Sequence, residues 1–222
     1  MSNILVVASH ADDEILGCGG VIARHVQQGD IVTVVVVCNR EYGRIYDDKI
    51  IAEEYNACRK AKESLGYQRL DFLDMPDGLL DTIGVVKIID GIEPIVNEFK
   101  PDVMYTSYYD VHQDHQMVFK ASMIIARSVA KTRIKKVLCY EDPSATEQSP
   151  PLPHWTFVPN YFVDISEFID KKIEAFKFYV REQREFPHPR SIEGIKAFAQ
   201  WRGVEANLKY AEAFMMLKDV WL

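Results

Sequence analysis

Seven consecutive residues, Ile31-Val32-Thr33-Val34-Val35-Val36-Val37, are β-branched and uncharged. A run of this kind has no wet face, so it predicts a central strand covered on both sides, as in parallel sheets. Parallel neighbours need crossover connections, which are usually helices. The rest of the chain supplies them. Strands are expected at residues 4–8, 70–73, 103–107, 136–140 and 161–163, and helices behind the glycine-rich stretch at Gly17 and at 51–65, 85–99 and 118–130. Gly29-Asp30 and Gly66 stand where helix stops are needed. Pro94 predicts a kink or a short break inside 85–99. Repeated strand–helix alternation predicts an α/β, Rossmann-like three-layer fold with a mostly parallel sheet and helices on both faces. The C-terminal region is expected to be helical, at 165–181 and 192–218, interrupted by Phe186-Pro187-His188-Pro189. Two stretches read as long loops: 39–49, and 142–159 with Pro143, Pro150, Pro151 and Pro153, a candidate lid or substrate loop. No shift in composition divides the chain, so residues 1–222 read as one domain.

Composition narrows the function classes. The formal net charge of −7 disfavours nucleic acid as a partner, because such binders carry a basic face. No apolar segment approaches the length of a membrane span. Met1-Ser2-Asn3 leads straight into a strand without a basic leader, so a cytoplasmic location is expected. Cys18, Cys38, Cys58 and Cys139 form no CxxC pair and read as reduced, buried thiols.

Ligands bind at the C-terminal edge of open α/β sheets. At that edge the first strand releases Ser9-His10-Ala11-Asp12-Asp13-Glu14. An N-cap aspartate and a first-turn glutamate account for one or two of these residues, but not for His10. Three neighbouring acids repel one another, and a cation removes the repulsion. The strand at 103–107 releases a second cluster, Asp110-Val111-His112-Gln113-Asp114-His115. If the sheet order brings the two together, His10, one of Asp12 or Asp13, and one of His112 or His115 give three N and O ligands with a fourth position open. That is the layout of a catalytic zinc, whereas a structural site usually uses cysteine in a closed set. Gly17-Cys18-Gly19-Gly20 is not a dinucleotide fingerprint, since Ile22 takes the third glycine position and the preceding loop is acidic.

The pairing of His10-Ala11-Asp12-Asp13-Glu14 with His112-Gln113-Asp114-His115 resembles the LmbE-like zinc deacetylases, also called the PIG-L or N-acetylglucosaminyl-phosphatidylinositol deacetylase family. Supporting stretches are Gly17-Cys18-Gly19-Gly20, Leu65-Gly66, His188-Pro189-Arg190-Ser191 and Tyr210-Ala211-Glu212-Ala213-Phe214. The resemblance implies that His10, Asp13 and His115 are metal ligands, for Zn2+ or another divalent ion such as Fe2+. It further implies Asp12 as general base, and His112, beside Asp114, as the cationic group facing the oxyanion or the leaving amine. A bond from Asp114 to His112 would raise the imidazole pKa. Glu14 is expected to brace the loop. Ala11 replaces the usual proline, and Glu53-Glu54-Tyr55 replaces a basic substrate contact, which leaves Lys49, Arg44 or a residue elsewhere for that role.

The expected activity is removal of an N-acetyl group from an N-acetylated amino sugar or glycoconjugate. A small-molecule substrate, no nucleic acid and no membrane span go with it, and a homo-oligomer is compatible. The rival readings are a metal-dependent hydrolase of another amide or ester, and a non-catalytic binding module on the same scaffold. Tyr42, Tyr46, Tyr108, Tyr109 and Trp155 are candidates for stacking on sugar rings or, equally, for anchoring loops. His188 and Arg190 are candidates either for reaching the site or for a surface or helix-cap role.

Overall fold

A computed structural model describes residues 1–39 and 47–221. Its sheet contains β1 (Asn3–Ala8), β2 (Ile31–Asn39), β3 (Arg69–Pro76), β4 (Val103–Ser107), β5 (Lys136–Tyr140), β6 (Tyr161–Asp164) and β7 (Ala211–Asp219). The spatial order is β3-β2-β1-β4-β5-β7-β6. β1 to β5 run parallel, and β7 lies antiparallel to both β5 and β6. The helices are α1 (Asp13–Gln27), α2 (Asp48–Leu65), α3 (Leu80–Ile83), α4 (Val85–Phe99), α5 (Gln113–Ile125), α6 (Ile169–Phe176) and α7 (Ile192–Ala206).

Both faces of the central strands are covered, as their composition requires. Ile4, Val6, Val32, Val34 and Val36 pack with α1 and α6, whereas Leu5, Val7, Val35 and Val37 pack against α4 and α5. The alternate side chains of one strand therefore belong to two separate cores. Chain order reverses between β1 and β4, which are direct neighbours, so the two acidic strand exits open side by side at the switch point. A chain of hydroxyls ties these exits: Ser9 Oγ is 3.0 Å from Ser107 Oγ, which is 3.0 Å from the Tyr140 hydroxyl. That hydroxyl donates to Val7 O at 3.0 Å.

The glycine-rich stretch is a packing device inside α1. A Cβ on Gly17 would lie 2.2 Å from the Tyr140 ring, and one on Gly20 would lie 2.7 Å from Ile165. Glu212 on β7 accepts from Gly20 N at 2.9 Å and Val21 N at 2.7 Å, and it pairs with Lys172 Nζ at 2.6 Å. These contacts bind the last strand to the first helix.

Several boundaries differ from expectation. α1 starts at Asp13, directly after the acidic loop, and α5 occupies Gln113–Ile125 instead of 118–130. The helix over Val85–Phe99 runs through Pro94. Leu80–Ile83, unforeseen, is a short helix. The largest correction concerns the C-terminal region, which is not helical throughout. The helix expected at 192–218 stops at Ala206, where Asn207 adopts a left-handed φ of 56° and donates its N–H to Gly203 O. The helix-favouring residues Ala211–Asp219 then form a strand, because β5 and β6 offer hydrogen-bonding edges on both sides. The helix expected at 165–181 is limited to Ile169–Phe176. The stretch 142–159 is irregular as expected, apart from a 3-10 turn at Thr146–Gln148. Arg44, Tyr42 and Tyr46 lie outside the described residues.

Candidate active site

Asp12, between β1 and α1, has a φ of 110°, a left-handed value that costs of order 1–3 kcal/mol for a non-glycine residue. Glu14 holds it there by accepting from Asp12 N at 3.0 Å, which is the bracing role expected of this residue. Glu14 also accepts from the Tyr179 hydroxyl. Burial pushes its carboxyl up to about 8, with the adjacent Asp12 charge adding to the effect. The same turn lets Asp13 fold back, so that its Oδ2 accepts from His10 N at 2.8 Å.

Two imidazoles converge on that oxygen. Asp13 Oδ2 lies 3.4 Å from His10 Nδ1 and 3.5 Å from His115 Nε2. Ligands set about 2.0–2.1 Å from one tetrahedral ion are about 3.3–3.4 Å apart, so each pair taken alone suits a shared cation. The full trio is not within 4.8 Å atom to atom, and among the described residues His10 groups that closely with His112 and His115 instead. The far nitrogens settle the tautomers. His115 Nδ1 donates to the Asp110 carboxylate at 2.9 Å, and His10 Nε2 sits 3.1 Å from both Asp114 Oδ2 and Asp77 Oδ1. In its neutral form each ring would carry its proton on the far nitrogen and turn its lone pair to the side of Asp13, the carboxylate–histidine arrangement of metal ligands. Asp13 Oδ1 is buried and has no hydrogen-bond partner among the described residues. Burial opposes the charge of Asp13, but His115 and His10 outweigh it and hold the carboxyl well below the usual range.

His112 completes a triangle, its ring centroid 4.6 Å from His10 and 4.8 Å from His115. The expected Asp114–His112 bond is not formed by the carboxylate. Asp114 instead accepts from His10, from Gly78 N at 2.6 Å and from Leu80 N at 3.1 Å. His112 Nδ1 accepts the backbone N–H of Asp114 at 3.2 Å, capping α5. Burial, helped by neighbouring His10 and His115, pushes its pKa down to about 4 instead of raising it.

Asp110, part of the second cluster after β4, also reaches the site, as do two acids from strand exits that sequence reading had passed over. Asp77 follows β3 and Asp142 follows β5. One ligand atom from each of Asp13, His115 and Asp142 fits within 4.8 Å of the others. The rule applied to β1 and β4, that acids at strand exits face the site, would have found Asp77 and Asp142 as well. Arg190 also reaches the site, its Nη1 lying 3.1 Å from Asp12 Oδ2. Tyr108 anchors a loop, with its hydroxyl donating to Thr156 O, and the rings of Tyr109 and Trp155 meet at 5.8 Å. All four cysteines are free and buried, as expected.

Residues 5–126, which carry both clusters, match the PIG-L family, described as GlcNAc-PI de-N-acetylase. A relative from Escherichia coli K12, called an uncharacterized deacetylase, is 31% identical over 78% of this chain and 88% of its own length. The chain belongs to the PIG-L family. It is a deacetylase. Within the family, a Bacillus cereus protein called a probable N-acetyl-alpha-D-glucosaminyl L-malate deacetylase is 31% identical over 58% of this chain and 61% of its own. The fold of this PIG-L deacetylase matches that of N,N'-diacetylchitobiose deacetylase from Pyrococcus horikoshii. The TM-score is 0.78, covering 98% of this chain and 84% of the other at 16% identity. No helix among the described residues is long and apolar enough to cross a membrane.

Proposed function

We propose that this deacetylase removes the acetyl group from an N-acetylated amino sugar or a glycoconjugate of one, using a divalent ion, Zn2+ or one such as Fe2+, held by His10 Nδ1, Asp13 Oδ2 and His115 Nε2. The observation that carries the reading is the convergence of two imidazole nitrogens on Asp13 Oδ2 while both far nitrogens rest on carboxylates. An ion there would polarise an amide carbonyl and lower the pKa of water from about 16 to about 7.

The chain's own residues supply the proton transfers. Asp12 shares the loop of two ligands, and its carboxylate is the general base that takes the proton of the attacking water. His112 accepts the Asp114 N–H at Nδ1, so its neutral ring carries the proton on Nε2. That N–H donates to the oxyanion as it develops, and the proton that Asp12 takes from the water is delivered to the departing nitrogen as the C–N bond breaks. The acids around the site also suit an amine product, which is cationic at neutral pH. The sugar assignment is supported by the relatives named for glucosaminyl-malate and diacetylchitobiose substrates. Residues 1–222 act as one catalytic domain in this reading, supported by a single sheet that takes strands from Asn3 to Asp219, and the expected cytoplasmic location goes with it.

The test is acetate release from a panel of N-acetylated monosaccharides, disaccharides, nucleotide-sugars and thiol-sugar conjugates, using chelated and zinc-reconstituted protein. Metal-dependent release from at least one sugar is expected. Release only from non-sugar amides or esters, or from nothing, overturns the proposal.

A further inference from the structure

The segment after α6 returns to the active site and places one guanidinium among three buried acids. Arg190 Nη1 lies 3.1 Å from Asp12 Oδ2 and 2.7 Å from Glu182 Oε2. Its Nη2 is 3.3 Å from Asp142 Oδ2, and its Nε donates to Pro143 O at 3.2 Å. Asp12, Asp142 and Glu182 are all buried, and the Arg190 side chain is 15% exposed. Three acids packed together without a cation would repel one another and force Asp12 out of place or out of its charged form. The fork matters as much as the charge. Guanidinium has five N–H donors in fixed directions, so it can hold three carboxylates at set angles, which a single ammonium cannot do.

From this geometry we infer that Arg190 is a positioning residue for the deacetylation reaction: it fixes the carboxylate of Asp12 in its working orientation and links it to Asp142 and Glu182. The inference rests on the reading of Asp12 as general base. Among the described residues, Asp12 is anchored through its backbone N–H on Glu14 and its Oδ2 on Arg190. The first anchor is local, whereas the second crosses 178 positions of sequence. A competent site therefore requires the 182–191 segment to be docked. The N-cap of α7 helps to dock it, since Ser191 Oγ accepts from Gly194 N at 2.9 Å immediately after Arg190.

The experiment compares wild type, Arg190→Lys and Arg190→Ala as full-length, zinc-reconstituted proteins, reading kcat, KM, zinc content and Tm, with and without added guanidinium. Both variants should keep full zinc content, because the proposed ligands lie elsewhere, and KM should stay within about threefold. kcat should fall by about 10²-fold in Arg190→Ala, the lower end of the range for a displaced general base. Arg190→Lys should fall at least about tenfold despite its retained charge. Guanidinium should restore part of kcat in Arg190→Ala, without raising its Tm and without effect on wild type. If Arg190→Ala does not fold, the loss in kcat of Arg190→Lys at unchanged zinc content and Tm decides the matter. Wild-type kcat in either variant, a loss confined to KM, or a loss of zinc that matches the loss of kcat overturns the inference. In each of those cases an active wild type leaves the deacetylase reading standing. A wild type inactive on the whole sugar panel overturns that reading, and this inference falls with it.

Discussion

Asp114 Oδ2 meets His10 Nε2 at 3.1 Å across 104 positions of chain, while the imidazole of His112, two residues away, takes its hydrogen bond among the described residues from the backbone N–H of Asp114. The carboxylate therefore orients a proposed ligand and, through Gly78 N and Leu80 N, the loop after β3. Asp114→Asn is expected to weaken zinc binding by about 10–100-fold, the usual cost of losing the carboxylate behind a ligating histidine. Competition with a chromogenic chelator measures this. Unchanged affinity with lost turnover would move the influence of Asp114 back to His112.

The adjacent aspartates should separate into two roles. Asp12→Asn keeps size and a hydrogen-bonding oxygen but removes the charge, so zinc should remain bound and turnover should fall by about 10²–10⁴. Asp13→Asn should lose zinc, and excess zinc should restore part of its activity. Metal content and acetate release are measured on both; a metal-free Asp12→Asn beside a loaded but inactive Asp13→Asn reverses the assignment.

Bound metal should stabilise the fold, because it relieves repulsion among buried acids. At a free zinc concentration about 100 times Kd, the linkage is worth about 2.7 kcal/mol. For a chain of this size that corresponds to a rise in Tm of about 5–10 °C. His115→Ala should lose both the metal and the increment. A Tm that does not respond to zinc in wild type would count against the site.

Glu14 gives a pH signature in chelated protein. Its carboxyl, normally near 4.5, is pushed up to about 8 by burial. Between these values the folded chain holds a proton that the unfolded chain has released. Stability from this group is therefore full below about 4.5, falls as pH rises toward about 8, and is flat above. Glu14→Gln mimics the protonated form, so its Tm relative to wild type should be higher at pH 8 than at pH 5. Equal differences at both values would show that Glu14 is charged in the folded protein.

Gly17→Ala should be destabilising, since the added methyl meets the Tyr140 ring at 2.2 Å. Overpacking of this kind costs about 1–3 kcal/mol. Displacing Tyr140 also loosens its bond to Val7 O, beside the acidic loop. Denaturant unfolding measures the effect, and wild-type stability would mean that the ring moves without resistance.

Sequence alone carried the parallel sheet, because the β-branched stretches of β1 and β2 have no polar face to turn outward. It also carried the two His/Asp clusters, because strand exits in such sheets share one edge. The Leu65-Gly66 helix stop was legible too, as Gly66 adopts the φ of 81° that the ending needs. What stayed hidden depends on long-range pairing. Residues 211–219 carry helix-favouring side chains, and only the open edges of β5 and β6 make them a strand. Asp114 has donors both near and far in sequence, and only the packed fold brings His10, Gly78 and Leu80 closer to its carboxylate than the His112 ring. Arg190, Asp142 and Asp77 join the site because chain segments up to 178 residues apart converge on it, as Asp12 and Arg190 do. A local pattern records the turn or strand a residue belongs to. Which buried charge balances which is decided only when the tertiary structure removes the water between them.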